Sequence, residues 1–481
     1  MRPQSREVQQ QPQSGRPPRG GRPGRALRLG TLGIAAGAAA LLGGCALYHS
    51  LPLARGPDLA GGLSSLRTQV PATRPGEAPR RIAIDQPLGS NDVGLLAVLN
   101  DPELRSEQAQ MDVAQANLLQ SSLLPNPSAS VSFASLLGGT DVAPAWTASL
   151  TQDVKSILTY HTHKKSARFQ AQQVNADLLW QEWQVAQKAK LLALDLYYGQ
   201  QSLDLSRQEL ELLDKEVSAV QKATQAGNLD FTALAPLLTA KAAAEQAVAS
   251  LGLTQMQNWQ ALDALLGLDP RVRFAIAPPS LAAMPVDLAP LLTTLPDRRP
   301  DLVALQLGYS SADEDVRTAI IGQFPALVLG GQWGQDTSNV RSAGPTATFD
   351  LPIFDRNQGQ VALTRATRLQ LHEQYQSRLD DAFGSVKGLD AQIRRLTEDV
   401  RNASNAAAAA DKMSAAAQKA YAQGNMDQRS LADFETTALD REVEALALER
   451  SLGETQITLT VELGLGLPQT RIAPMVQPRK S

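Results

Sequence analysis

Two stretches of the chain alternate apolar and small polar residues, and a much longer stretch with helical periodicity follows each of them. In the first, Val131, Phe133 and Leu150 fall on an apolar face, and serines and threonines fill the positions between. Alternation with a period of two is typical of a β-strand with one apolar face. The pattern predicts a β-hairpin over residues 128–153 and a second over residues 326–352.

The two long stretches are predicted to be helices. No proline interrupts residues 157–226 or 357–423, and apolar residues recur every three, four or seven positions, as at Leu203, Leu210 and Val217. A stripe with this spacing predicts helices that pack lengthwise against other helices.

Each long helix ends at a Gly-Asn pair, and an aspartate follows two residues later. These six residues are Gly227, Asn228, Asp230, Gly424, Asn425 and Asp427. Glycine and asparagine tolerate the left-handed backbone that closes a helix, and the aspartates can cap the helices that return. The pattern predicts two helical tips, with return helices over residues 228–266 and 427–465.

The chain is a duplication. Residues 221–230 and 418–427 are identical at six of ten positions, at an offset of 197 residues. Both copies run through the same order of elements, so we assign a first repeat to residues 93–285 and a second to residues 286–468, followed by a tail over residues 469–481.

A shorter helix is predicted to open each repeat, over residues 101–124 and 301–323. Asp101 can cap the first of them, and Pro102 stands where its missing N–H costs nothing. Each opening helix and its return helix together approach the length of the long helix, so the two could stack beside it.

The first 44 residues resemble an export signal, with seven arginines and an apolar stretch that is too short to span a bilayer. The signal ends at Gly43-Gly44-Cys45, which resembles a bacterial lipoprotein signal with Cys45 as the lipidated N-terminus. The alternative is an ordinary buried cysteine. Residues 45–92 lack periodicity and are predicted to form an extended tether from the lipid.

Charge and composition exclude several classes of protein. Without the leader the chain keeps 38 basic and 47 acidic residues, a net charge of about −9 that argues against nucleic acid as a partner. No common catalytic motif is present, so neither an enzyme nor a cofactor is predicted. His161 and His163 stand two apart on a helix and do not share a face, so no metal site is predicted.

Four strands cannot close a membrane barrel alone, since known barrels begin at about eight strands. Two chains would supply eight strands and three chains would supply twelve. The alternation would turn the apolar face to lipid and the polar face to a lumen. Trp146 and Trp333 are predicted to mark the membrane interface, with core packing as the alternative.

Four segments resemble the TolC-like outer membrane efflux proteins, and the resemblance covers residues 93–468. They are DPELRSEQAQMDVAQANLLQSSLLPNPS from Asp101, RRPDLVALQLGYSSADEDVRTAIIGQFPALVLGG from Arg298, LPIFDRNQGQVALTRA from Leu351 and AYAQGNMDQRSLADFE from Ala420. The resemblance implies a mainly α-helical chain with four strands, and a homotrimer with a twelve-stranded outer membrane β-barrel and a twelve-helix periplasmic tube. It also implies docking of the tips to a periplasmic adaptor and an inner-membrane pump.

The family is often gated by acidic residues six and nine positions after the tip glycine. In this chain Asp433 matches this pattern, whereas Ser430, Ala233 and Pro236 do not. Asp433 is therefore a candidate gate, and an ordinary solvated helix carboxylate is the alternative.

The leading hypothesis is a passive export duct in the outer membrane, lipid-anchored and extending into the periplasm, within a tripartite efflux system. A type I protein secretion channel would share its architecture. A periplasmic coiled-coil lipoprotein adaptor without a pore would share the anchor and the helical hairpins, but two matched β-hairpins with one apolar face disfavour it.

Overall fold

Two helices of unusual length dominate the chain. In a computed structural model, α3 spans Val154–Gln225 and α8 spans Gln358–Ala422, which are 72 and 65 residues. They are roughly 108 and 98 Å long at 1.5 Å per residue. Asp153 caps α3 by accepting a hydrogen bond from the Lys155 N–H at 2.9 Å. The structure describes residues 48–71, 79–135, 137–138, 143–280 and 287–465.

The chain divides into two units, residues 1–57 and 58–481. In the first unit, described residues 48–57 form no helix or strand. The second unit holds the elements below. None of its described helices combines the length and the apolar character that a membrane-spanning helix requires.

Shorter helices lie alongside the two long ones. In the first repeat α2 (Pro102–Ser121) and α4 (Leu234–Leu266) both pack against α3, and in the second α7 (Pro300–Ile321) and α9 (Gln428–Glu462) both pack against α8. The stacking expected from the helix lengths is therefore present. Helix α3 also packs against α7 and α9, and this contact joins the two repeats.

Four strands form one antiparallel sheet in the order β3-β4-β5-β6. They are β3 (Ser128–Ala134), β4 (Ala145–Asp153), β5 (Leu327–Gln335) and β6 (Arg341–Phe349). Each predicted hairpin is present, and β4 pairs with β5 to join them. The mainly helical fold class with four strands is confirmed for the described residues.

The predicted tether is corrected by the structure over residues 58–92. A short pair of strands, β1 (Gln69–Val70) and β2 (Arg80–Arg81), is followed by an unpredicted helix, α1 (Ser90–Asn100). Leu66, Ile82 and Leu88 are buried with residues of α1, α3 and α4 in a shared apolar core. These three residues are widely spaced, so they fill a core without producing any sequence periodicity.

Two further details differ from the sequence prediction. The first return helix starts later than expected, because residues 231–233 form a turn of 3₁₀-helix before α4. Two short helices, α5 (Ala289–Thr293) and α6 (Leu295–Arg298), precede α7 and have no counterpart in the prediction.

A buried arginine connects four helices of the second unit. Arg299, whose side chain is 2% exposed, donates hydrogen bonds to both carboxylate oxygens of Asp301, at 3.0 and 2.7 Å, and to Glu462 at the end of α9. Its guanidinium lies 4.8 Å from the centre of the Trp180 ring on α3. Arg378 on α8 donates to the same Asp301 at 2.7 Å.

Burial alone would raise the pKa of Asp301. The hydrogen bonds and the positive charges of Arg299 and Arg378 outweigh it, and they keep the pKa of Asp301 below its ordinary value. The carboxylate therefore stays charged at neutral pH, and its three charge-assisted hydrogen bonds stay formed.

Arg299→Met is expected to destabilise the protein by about 3–5 kcal/mol, because it leaves Asp301 buried with half of its partners. Thermal denaturation of the purified protein measures the effect. The control is Arg395→Met, which removes an arginine 73% exposed in an i,i+4 pair with Asp399, worth about 0.3–0.5 kcal/mol. Equal losses of thermal stability in the two variants would show that the buried hydrogen-bond network stabilises the fold no more than an exposed ion pair does.

Candidate functional site: the sheet and the helical tips

The four-stranded sheet has one apolar face. The register sets Val131 opposite Ala148, and Ala148 opposite Trp333, so these residues lie side by side across three strands. Phe133 and Leu150 project from the same face and are exposed in the chain. A soluble sheet would cover such a face with a second layer, whereas Val131, Phe133, Leu150 and Trp333 are between 47% and 78% exposed in the chain.

Hydroxyl groups line the other face of β3 and β4. Ser130 and Ser149 share a hydrogen bond at 2.8 Å, and Ser132 and Thr147 share one at 2.5 Å. Such cross-strand hydroxyl pairs satisfy each other within the sheet and also suit contact with water. The alternation predicted from sequence therefore separates an apolar face from a wettable face.

Trp146 and Trp333 both belong to the apolar face, near the end of the sheet that is distant from the helices. Exposed Phe349, Phe324 and Phe354 lie at or beside the helical end. Strands β4, β5 and β6 each hold nine residues and extend roughly 27 Å, close to the height of about 25 Å typical of a barrel's apolar band. The assignment of Trp146 and Trp333 to the membrane interface stays a prediction.

Glycines allow the two hairpins to pair. A Cβ at Gly330 would lie 2.3 Å from the carbonyl oxygen of Leu150, and one at Gly334 would lie 2.8 Å from that of Trp146. Neither approach is sterically allowed, so β5 tolerates no side chain at these two positions against β4.

The two helical tips have the same backbone geometry. Gly227 and Gly424 both have a φ of +75°. The N–H of Asn228 donates to the Ala223 carbonyl and that of Asn425 to the Ala420 carbonyl, each at 2.9 Å. A 6→1 bond around a left-handed glycine is the Schellman ending of a helix. The pattern of two Gly-Asn pairs is therefore explained by helix termination.

Both tip aspartates act as caps. Asp230 accepts from the Thr232 N–H at 2.8 Å, and Asp427 accepts from the Ser430 N–H and hydroxyl, each at 2.9 Å. These hydrogen bonds from the backbone, joined by those of the side chains, lower the pKa values of Asp230 and Asp427. Both carboxylates are exposed and negatively charged. Each therefore interacts favourably with the partial positive charge at the N-terminus of the helix that follows it.

The first tip is more apolar than the second. Leu229 and Phe231 are 45% and 71% exposed. At the same offset of 197 residues, the second tip carries Met426 and Gln428 instead. The two tips thus combine one backbone shape with different surfaces.

Asp433 is exposed on α9, which packs against α3. Opposite it lies Glu216, which is 7% exposed and whose Oε1 has no hydrogen-bond partner. Burial raises the pKa of Glu216, the charge of Asp433 raises it further, and Arg429 opposes both. Glu216 was not predicted from the sequence. The feature that could have indicated it is an acidic residue between Leu213 and Val217, two apolar residues of the packing face of α3.

The remaining predicted residues lie elsewhere. Cys45 is outside the described residues. His161 is exposed and packs edge-on against Tyr160 at 6.0 Å, and His163 lines a groove beside Asp153 and Asp315. Among the described residues, no three histidine, cysteine, aspartate or glutamate side chains are placed to hold a metal ion.

Comparison with known families identifies part of the chain. Residues 291–465 match the model of the family described as outer membrane efflux protein. Residues 291–465, which make up most of the second repeat, are similar to this family. They contain strands β5 and β6, the second tip and Asp433. No curated protein matches the chain.

Solved structures share the fold of both repeats. CusC covers 80% of this chain and 95% of its own, with a TM-score of 0.64 and 16% identity. The CmeC outer membrane channel of Campylobacter jejuni covers 79% and 86%, with a TM-score of 0.64 and 17% identity. The open-state MtrE outer membrane channel of Neisseria gonorrhoeae covers 87% and 98%, with a TM-score of 0.65 and 17% identity.

Gly330→Ala is expected to disrupt the β4–β5 pairing that connects the second repeat to the first. The clash with the Leu150 carbonyl would cost about 1–3 kcal/mol, measured as loss of thermal stability of the membrane-extracted protein. The matched control is Gly331→Ala, whose Cβ would make an ordinary 3.4 Å contact with the Trp333 ring. Equal stability of both variants would contradict the pairing.

Proposed function

We propose that the protein is a trimeric outer membrane duct that exports substrates delivered by a partner pump. The observation that carries the proposal is the sheet, which is apolar on one face, hydroxyl-lined on the other, and continuous with helices of about 100 Å. The match of residues 291–465 to the outer membrane efflux proteins supports the same function. No enzyme activity forms part of the proposal.

The open edges of the sheet support assembly from several chains. Strands β3 and β6 each pair on one side within the chain. Exposed sheet edges are unfavourable, and closing them in a ring removes both. Three chains of four strands would form a barrel of twelve, with the apolar face toward lipid and the hydroxyl face toward the lumen. The long helices would then continue the lumen into the periplasm.

The helical tips are the proposed docking surface for a periplasmic adaptor and an inner-membrane pump. Exposed apolar side chains at a tip, such as Leu229 and Phe231, are suited to bury against a partner. Anchoring through a lipidated Cys45, with residues up to 57 as the link to the body, completes the proposed arrangement. A type I secretion channel would use the same duct and differ in its pump.

A periplasmic adaptor without a pore is the competing function, and conductance separates the two. The purified protein, reconstituted in a planar lipid bilayer, is expected to give discrete channel openings. Absence of openings from correctly folded trimers would favour the scaffold.

Asp433→Ala is expected to raise the leak through the reconstituted channel and to lower its cation selectivity, because a ring of carboxylates favours cations. The matched control is Asp380→Ala, which removes an exposed carboxylate from α8. Unchanged conductance and selectivity in Asp433→Ala would assign this residue to an ordinary helix surface.

Gln423→Trp is expected to leave trimers intact and to weaken adaptor crosslinking at the second tip by roughly tenfold, the equivalent of about 1.4 kcal/mol. Gln423 is exposed and has a right-handed backbone, with φ of −87°, whereas Gly424→Trp would also strain the turn. The control is Gln370→Trp, an exposed position on α8. Full crosslinking in Gln423→Trp would refute docking at this tip.

A further inference from the structure

Carboxyl groups face each other at three levels of the contact between α3 and α9. Steps of 14 and 7 residues along α3 are matched by equal steps in the opposite direction along α9, so the three levels fall on one face of each helix at heptad spacing. The pairs are Asp195 with Glu454, Glu209 with Asp440, and Glu216 with Asp433. We call this contact the acid seam.

At the first level of the acid seam, two carboxyl groups share one arginine. The Nε of Arg450 lies 3.7 Å from Asp195 Oδ1 and 3.1 Å from Glu454 Oε1. Both this Nε and Asp195 Oδ1 are buried and lack a hydrogen bond of good geometry. One guanidinium thus faces two carboxyl groups. If both carboxyl groups were ionised, the three side chains together would carry a net charge of −1.

The third level is the most deeply buried on the α3 side. Glu216 is 7% exposed, its neighbours Leu213 and Val217 on α3 are buried as well, and its Oε1 has no hydrogen-bond partner. The neighbouring carboxyl is that of Asp433, and Arg429 on α9 is the opposing positive charge. A buried charge without a hydrogen bond is costly, so this position favours a proton on Glu216.

The other charged groups around the acid seam come from four further sources. Glu449 on α9 lies near Tyr198, and Arg441, the neighbour of Asp440 in the chain, binds Glu444 at 2.6 Å. On α4, Lys241 binds Asp214 at 2.6 Å and Asp263 binds Arg273 at 3.0 Å. Asp411 on α8 lines a groove with Glu211, Lys215, Glu435 and Glu442. Near α1, half-buried Lys190 lies against Gly94, and Asp92 binds Arg80 at 2.6 Å.

We propose that the acid seam is a proton-sensitive contact between the two repeats, closed while its α3 carboxyl groups Asp195, Glu209 and Glu216 hold protons and loosened when they ionise. The three carboxyl pairs lie along one interface. Repulsion within each pair therefore pushes α3 and α9 apart in the same direction. The proposal concerns a contact within one chain and does not depend on export.

The direction of the pH dependence follows from the carboxyl groups. Burial and the neighbouring carboxyl group of Glu454 raise the pKa of Asp195 to about 7, against the effect of Arg450. Burial and the facing carboxylate raise the pKa values of Glu209 and Glu216. A pKa raised by folding stabilises the contact at low pH, and this stabilisation is lost as the pH rises through the folded-state value, about 7 for Asp195.

Distance measurements between two spin labels test the proposal. Ser218 on α3 and Thr437 on α9 are exposed and lie near the third level, so cysteines at both positions report the separation of the helices in the full-length protein. Between pH 5 and pH 8 the separated population is expected to grow, by up to about tenfold per pH unit for each proton released. Variants with only one of the two introduced cysteines are the controls. They show which distances arise between protomers of an oligomer and which signal comes from Cys45.

Neutral variants distinguish the acid seam from other titrating groups. The triple variant Asp195→Asn, Glu209→Gln, Glu216→Gln is expected to stay closed at every pH, and Asp195→Asn alone to reduce the pH response. Asp204→Asn, a carboxyl 52% exposed on the same helix, should respond like the parent protein. A constant distance in the parent, or an unchanged response in the triple variant and in Asp195→Asn, would overturn the proposal.

Discussion

The contact of α3 with α7 and α9 is the constraint on which the rest of the body depends, because it holds the two repeats together. Much of it is made by small and polar residues. Ser166 and Ser311 share a buried hydrogen bond at 3.0 Å, and Thr318 donates to Thr162 at 2.6 Å. Helices this long and thin offer each other only narrow apolar stripes, so close approach and polar pairing must supply part of the cohesion.

Helix α3 also connects the contact between the repeats to the sheet. Asp153 is at once the last residue of β4 and the N-cap of α3, so strand and helix continue without a loop. Because β4 pairs with β5, the repeats are joined twice, once in the sheet and once between helices. The buried pairing of Arg299 with Asp301 then fixes the start of α7 against α8 and α9.

Periodicity and turn chemistry made most of the body predictable. The long helices, both hairpins and the Gly-Asn tips follow from local patterns that tertiary structure does not oppose. The packing of Leu66, Ile82 and Leu88 could not be predicted, because isolated apolar residues reveal a core only when their distant partners are known. Glu216 was missed for a related reason, since its facing carboxyl lies on a helix more than two hundred residues away.

The two sides of α3 differ in a way that the duplication alone would not produce. Toward α4, within its own repeat, Asp214 meets the opposite charge of Lys241 at 2.6 Å. Toward α9, in the other repeat, two carboxyl groups lie around one arginine at each of two levels, Glu216 and Asp433 with Arg429, and Asp195 and Glu454 with Arg450. Opposite charges hold a contact over a wide pH range, whereas like carboxyl groups hold one only while they keep a proton. The α3–α4 contact thus keeps its charge pairing over a wide pH range, and the contact between the two hairpins is the adjustable one.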